Sequence, residues 1–290
     1  MKRRFTLLGL TLVAAGCGGG TPTSPGTNQT ATNAPPVISA FTVQGTRSRE
    51  PANFADLSES VPVTVQVTDA ESNASDFQYT WSATLGTFSG SGRSVTWKAP
   101  ATADTPLVVT LSLEVVETYA SQGKSLVNRA ARSVTLSLHN SIKEVGDLSR
   151  QFLLDFSDSN LPTPMVMRHF QPGCYGTEAE TSDVDANRRD FRITNWTVDL
   201  PVTSVNFGGA CPIPGRNTVQ GDACSRVHTD WRSTALRDLG NLPKGQSAET
   251  HGVDYISAFY YEDQQRWRLC DSQYIGDSPS FLKLPRSLVP

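Results

Sequence analysis

The chain has 290 residues, 38% of them hydrophobic and 18% charged, with a formal net charge of −3 at pH 7. That length accommodates two ordinary domains plus connecting segments. The slight acidic excess leaves no basic footprint for nucleic acid, so a nucleic-acid partner is not expected.

The chain opens with Met1, Lys2, Arg3 and Arg4, then an apolar run over residues 5–15, then Gly16 and Cys17. The run is much shorter than the ~20 residues a bilayer span needs, and with its basic start it reads as a secretory signal, residues 1–16. Ala14-Ala15-Gly16-Cys17 resembles the bacterial lipobox. The resemblance implies cleavage before Cys17 and acylation of its thiol and new amino group, palmitate included. The membrane is then a partner through Cys17. One acyl chain holds reversibly, whereas two or more anchor stably. An ordinary signal peptide with an incidental cysteine is the alternative. Gly18 is not an inner-membrane retention residue under the familiar sorting rule, which favours the outer membrane or cell surface while leaving inner against outer open. Residues 17–36, rich in Gly, Pro, Ser and Thr, read as the lipidated cysteine and a flexible tether.

From residue 37 to 139 the pattern is short runs of period two. Val61, Val63, Val65 and Val67 alternate with polar neighbours and belong on one face of a half-buried strand. Further strands are expected over residues 41–43, 77–81, 94–97, 107–116 and 133–138. Turn chemistry separates them at residues 69–73, Gly86, Gly90 to Gly92, Ala99-Pro100 and residues 121–123. This spacing predicts an antiparallel β-sandwich. With Tyr79, Trp81, Gly86, Phe88, Val95, Trp97 and Pro100 in their order here, the segment resembles bacterial immunoglobulin-like domains of the polycystic-kidney-disease type. The resemblance implies a spacer or adhesive role and places Trp81 between the sheets. Asp69, Glu71 and Asp76 read as a solvated acidic turn, with calcium as the rival, since hard cations take clustered oxygens.

Residues 140–276 change period. Ile142, Val145, Leu148, Phe152 and Phe156 recur at helical spacing, and Ser141 with Glu144 reads as a capping box, predicting a helix over residues 142–157. A short helix is expected over residues 165–170. A third opens at a second capping box, Thr177 with Glu180, and closes near Asp190. Strands are expected over residues 191–198, 203–207, 226–236 and 253–261, the last pairing with 266–274 as a hairpin. Helices followed by long antiparallel strands predict an α+β domain, helices packed on a curved antiparallel sheet. That order and the closing pair, residues 255–261 with 267–270, resemble the cone-shaped nuclear transport factor 2-like superfamily (cystatin-like cone). The expected fold class is therefore multidomain, an all-β immunoglobulin-like sandwich followed by an α+β cone, with residues 277–290 as a C-terminal tail.

Four cysteines, Cys174, Cys211, Cys224 and Cys270, fall in the last third. An even set in an exported chain reads as disulfides. Cys211 with Cys224 is favoured because it staples one Pro/Gly-rich loop, leaving Cys174 with Cys270. A zinc site is the rival, though no CxxC or CxxH spacing occurs. No metal or other cofactor is expected.

No phosphate loop, nucleophile elbow or HExxH motif is present. By residue type, His169, His228, His251, Asp190, Asp230, Asp271 and Tyr261 are candidates. His228, Asp230 and Arg232 alternate along one strand and share a face, inside the cone or in water; with Tyr261 they form the candidate ligand pocket. His169 reads as packing and His251 as an exposed turn. Arg188 or Arg189 reads as a structural ion pair with a carboxylate such as Asp271. No catalytic residue is assigned. The function expected is a membrane-anchored envelope lipoprotein, non-catalytic, presenting its C-terminal domain as a structural or binding module to an envelope protein or glycan. A small-ligand carrier using the cone cavity is one alternative. An isomerase or hydrolase with a His/Asp pocket, which needs a buried acid or histidine of shifted pKa, is another.

Overall fold

The computed structural model of the chain describes residues 33–72, 76–198, 204–213, 219–240 and 242–276. The expected signal segment, Cys17, most of the expected tether and residues 277–290 lie outside the described residues. The chain divides into two units, residues 1–33 and residues 34–290. The second is mostly β-sheet with three helices.

Eight strands come first: β1 (Val37–Val43), β2 (Phe54–Asp56), β3 (Ser60–Thr68), β4 (Phe77–Ala83), β5 (Thr87–Ser91), β6 (Ser94–Lys98), β7 (Leu107–Ser121) and β8 (Lys124–His139). They form two four-stranded sheets, ordered β1-β3-β6-β5 and β2-β8-β7-β4. Along β3 the four valines are all buried and their polar neighbours exposed, as a period of two requires. They meet the other sheet in a shared core: Val43, Val61, Val63, Val95 and Trp97 against Val109, Leu111, Leu136 and Leu138. Trp97 takes the fully buried place, its Nε1 donating to the Leu85 carbonyl at 3.0 Å. Trp81 of β4 also lies between the sheets, half-buried against Phe41 of β1 and Phe88 of β5. A Cβ on Gly86 would lie 2.6 Å from the Trp97 ring, and its φ of +79° independently favours glycine.

The sandwich departs from a purely antiparallel plan at β2, which pairs parallel with the end of β8, Phe54 opposite Ser137. The β7–β8 hairpin is also longer than the apolar alternation predicts. Its ladder continues to the turn at Gln122 and Gly123, both at positive φ.

The rest comprises α1 (Ser141–Ser157), α2 (Thr163–Val166), a 3-10 turn (Met167–His169), α3 (Thr177–Asp190), β9 (Phe191–Val198), β10 (Ser204–Phe207), β11 (Ala210–Cys211), β12 (Val219–Gln220), β13 (Ala223–Ala235), β14 (Ser247–Tyr261) and β15 (Arg266–Gly276). β10, β13, β14 and β15 lie side by side, with β9 also on β13. Val145, Phe152 and Leu153 of α1 pack on Val227, Ile256, Ala258 and Leu269 of the sheet. Cys174–Cys270 ties the segment before α3 to β15, and Cys211–Cys224 ties β11 to β13, the pairs favoured from the sequence.

Both expected capping boxes are corrected. Asn140, not Ser141, caps α1, its Oδ1 accepting from Lys143 N at 3.2 Å, while Ser141 N donates to Asp56 Oδ1. α3 starts at Gly176 without a side-chain cap, and Thr177 Oγ1 donates to the Gln171 carbonyl instead. The short helix over 165–170 resolves into α2 and the 3-10 turn.

The two parts of residues 34–290 meet in a closed seam. Phe54 is 1% exposed and belongs to the core of the helix-backed sheet. It stacks on His139 at 4.5 Å and meets Tyr260 edge-on at 4.8 Å. His139 is fully buried, its Nδ1 2.9 Å from the Glu144 carboxylate and its Nε2 within reach of Ser137 Oγ and Tyr260 Oη. A carboxylate only accepts, so Nδ1 donates to Glu144. Around this centre Arg47 pairs with Asp56 and lies over the Phe207 ring, and Arg49 pairs with Asp222 at 2.8 Å. Phe54→Ala is expected to lower stability by about 3–5 kcal/mol and to split urea unfolding into two transitions, followed by circular dichroism and by Trp fluorescence. A single transition of unchanged midpoint would rule out the seam as the coupling element.

Candidate functional site

The alternation of β13 decides where the sequence candidates go. Val227, Thr229, Trp231 and Ser233 are buried, whereas Arg226, His228, Asp230 and Arg232 are exposed on the opposite face. The expected pocket is therefore corrected: His228, Asp230 and Arg232 form an outward ladder in water. Asp230 pairs with His251 of β14 at 2.8 Å, and Arg232 with Glu249 at 2.5 Å. Tyr261 ends the same strand as His251, about 33 Å further along at the rise of a β-strand, so the four do not share one pocket.

The other candidates have structural partners. His169 is buried against Asp155 at 2.7 Å. Burial holds His169 below its ordinary pKa in spite of that carboxylate. Burial would raise Asp155, but hydrogen bonds from His169 and Gln151 outweigh it and bring the net shift down. Asp190 is held down to about 2 by the Arg237 hydrogen bond and by Arg189. Among the described residues the structural ion pair expected of Arg188 or Arg189 is made with Asp190 rather than Asp271. Arg188 donates to the Leu161 and Asp158 carbonyls, and Arg189 pairs with Asp190. Asp271 packs beside Gly176, where a Cβ would lie 2.5 Å from its Oδ1. Asp69 Oδ1 accepts from the backbone N–H groups of Glu71 and Ser72, the chemistry of a turn.

The buried face of the same sheet carries the site that the sequence reading passed over. Asp254 lies on β14 between Val227 of β13 and Tyr274 of β15. It is 5% exposed, and Thr229 Oγ1 donates to its Oδ2 at 2.9 Å. Burial pushes the carboxyl up to about 7, the Thr229 hydrogen bond only partly offsetting it. Beside it Trp231 stacks on Tyr274 at 5.0 Å, and Phe156 of α1 closes on Trp231 at 6.3 Å. The Tyr274 ring lies across two glycines, for a Cβ on Gly252 or Gly276 would meet it at 2.4 Å or less. Thr250 Oγ1, also buried, has no hydrogen-bond partner among the described residues. The signal was present in the sequence: the period of two puts Asp254 on one face with Ile256, Ala258 and Tyr260, an acid among apolar neighbours. A carboxyl titrating near neutrality behind an aromatic wall can take up or release a proton and can accept from a polar ligand.

A second acidic group lies at the seam. Glu50, Asp56 and Glu59 bring carboxylate oxygens within 4.8 Å of one another. Arg47 supplies a cation there, pairing with Glu50 and Asp56. Burial pushes Glu50 up to about 7 despite Arg47.

No protein family, curated protein or solved structure matches this chain.

Asp254 ordinarily titrates at 3.8 and in the fold at about 7, so the stability it contributes is full below about pH 4 and is lost as pH rises towards about 7. Asp254→Asn should therefore gain on the wild type by a few kcal/mol between about pH 4 and about pH 8, measured by urea unfolding across that range. A difference independent of pH would show that the carboxyl is not held protonated.

Proposed function

We propose that this chain is a lipid-anchored bacterial envelope protein that uses its β-sandwich as a rigid spacer to present the helix-backed domain. One observation carries the reading. Asn128 Nδ2 donates to the Ala34 carbonyl at 3.1 Å, so the chain coming from Cys17 enters the sandwich beside Asn128. The helix-backed domain is seated on Phe54 and His139, at the other end of β8, about 35 Å away at the rise of a strand. Entry and cargo lie at opposite ends, as a spacer requires.

The family resemblances enter on the same terms. The order β1-β3-β6-β5 facing β4-β7-β8 corresponds to the ABED and CFG sheets of immunoglobulin-like domains, which supports that reading of residues 37–139. Three helices preceding an antiparallel sheet, with α1 packed on its inner face, support the cone reading of residues 140–276. The partner is an envelope protein or a glycan, and the outward polar ladder of β13 and β14 is the surface offered to it. The small-ligand carrier is the second reading, favoured by Asp254 beneath Trp231 and Tyr274. An isomerase or hydrolase would draw on the same carboxyl.

Expression of the full chain and of Cys17→Ser, followed by fractionation and mass spectrometry of the Cys17 peptide, tests the anchor. The wild type is expected in the membrane fraction with an acylated Cys17, and the variant is expected to lose membrane retention at least tenfold, since two or more buried acyl chains hold stably. Equal distribution of both, with unmodified Cys17, would sink the reading.

A further inference from the structure

Beyond Glu117 and Asn128 the β7–β8 hairpin leaves the sandwich. The last residue of β7 with a partner on β4 is Glu117, opposite Phe77, and among the described residues, residues 118–127 pair only with each other. Glu117 fixes the base: it is fully buried and accepts from Ser72 and from Asn128. The free ribbon is apolar for an exposed element. Leu126 is 40% and Val127 50% exposed, Tyr119 stands directly opposite Leu126, and Lys124 carries the only charge of the ten residues.

We infer that this ribbon, residues 118–127, rests against the lipid surface that holds the Cys17 anchor. The inference depends on the anchored reading above. Its argument is where the chain begins. The described fold starts at the ribbon's base, where Asn128 holds the Ala34 carbonyl and Arg132 donates to the carbonyls of Ile38 and Ser39. The chain between Cys17 and Ala34 reaches at most about 60 Å when fully extended, and the ribbon projects about 13 Å from Asn128 to its turn. The chain thus enters at the end of the sandwich from which the ribbon projects, opposite the seam, and a bilayer met at that end meets the ribbon first. The chemistry of one ribbon face suits the water–lipid boundary: Tyr119 at the headgroups, Leu126 beside it, and Lys124 near the turn where it meets lipid phosphate. The acidic turn with Asp69 and Glu71 lies at the base, joined through Ser72 to Glu117, and stays in water.

The test places a single nitrobenzoxadiazole label at Ser121→Cys, opposite Lys124 on the same ribbon face as Tyr119, in the full acylated chain, reconstituted in vesicles of phosphatidylethanolamine and phosphatidylglycerol. A second chain carries the label at Lys244→Cys, in the exposed loop between β13 and β14. Dithionite is expected to bleach the label at 121 about fivefold more slowly than the one at 244. Replacing Leu126 and Val127 together by Ser should remove the difference while Cys17 stays acylated. Equal bleaching rates with an acylated Cys17 would overturn the inference and leave the anchor intact. An unmodified Cys17 would defeat the anchored reading and this inference with it. Protection that persists in the Cys17→Ser chain without vesicles would mean that ribbons pair between copies, and would also overturn it.

Discussion

A histidine closed off from water between two hydrophobic systems is the constraint on which the arrangement of this protein turns. His139 ends β8 and begins the approach to α1, so its ring is held from every direction the chain takes there: Ser137 from its own strand, Glu144 from α1, Tyr260 from β14 and the Phe54 face from β2. A buried imidazole without partners costs free energy, and here both nitrogens are satisfied. Satisfying them fixes the direction of α1, because Glu144 also accepts from Asn140 N. Domains within a chain ordinarily move relative to one another unless their interface is hydrophobic and well packed. Phe54, Tyr260 and Trp267 make this one so.

Two buried acids, Glu50 at the seam and Asp254 behind the sheet, sit where the charged form is disfavoured. They differ in company. Glu50 has Arg47 beside it, with Asp56 and Glu59 close by, and belongs to the machinery of the seam. Asp254 has a hydroxyl and a wall of aromatic rings, surroundings that bind and titrate more readily than they brace. Lone acids kept inside apolar sheets are expensive to retain, which is why such a position is a candidate for function.

The regular parts of this fold were legible because their residues repeat with the right period. Val61 to Val67 announced β3, and Ile142 through Phe156 announced α1, since burial on one face imposes those spacings. The residues around Leu126 did not announce a strand: a ribbon bare on both faces has no alternation to display, and only its backbone ladder reveals it. β2 was invisible for another reason, being three residues long and paired across most of the sandwich sequence. The polar residues of β13 share one face by their alternation, and the choice of which face looks inward rests on the residues between them. Trp231 and Val227, at the intervening positions, settle it by being too large and apolar to leave in water. The same arithmetic applied to β14 would have found Asp254.

The parallel pairing of β2 with β8 has a consequence for the order of assembly. Phe54 cannot take its place until Ser137 and its neighbours have been made, because the partner strand lies near the far end of the sandwich sequence. Contacts so distant along the chain form slowly. The platform on which Tyr260 and Trp267 settle is thus completed by the last strand of the sandwich, and the helix-backed sheet has nowhere to settle on an unfinished one. The seam thereby works as an inspection step built from geometry alone, joining the helix-backed sheet to the sandwich only when the sandwich has closed.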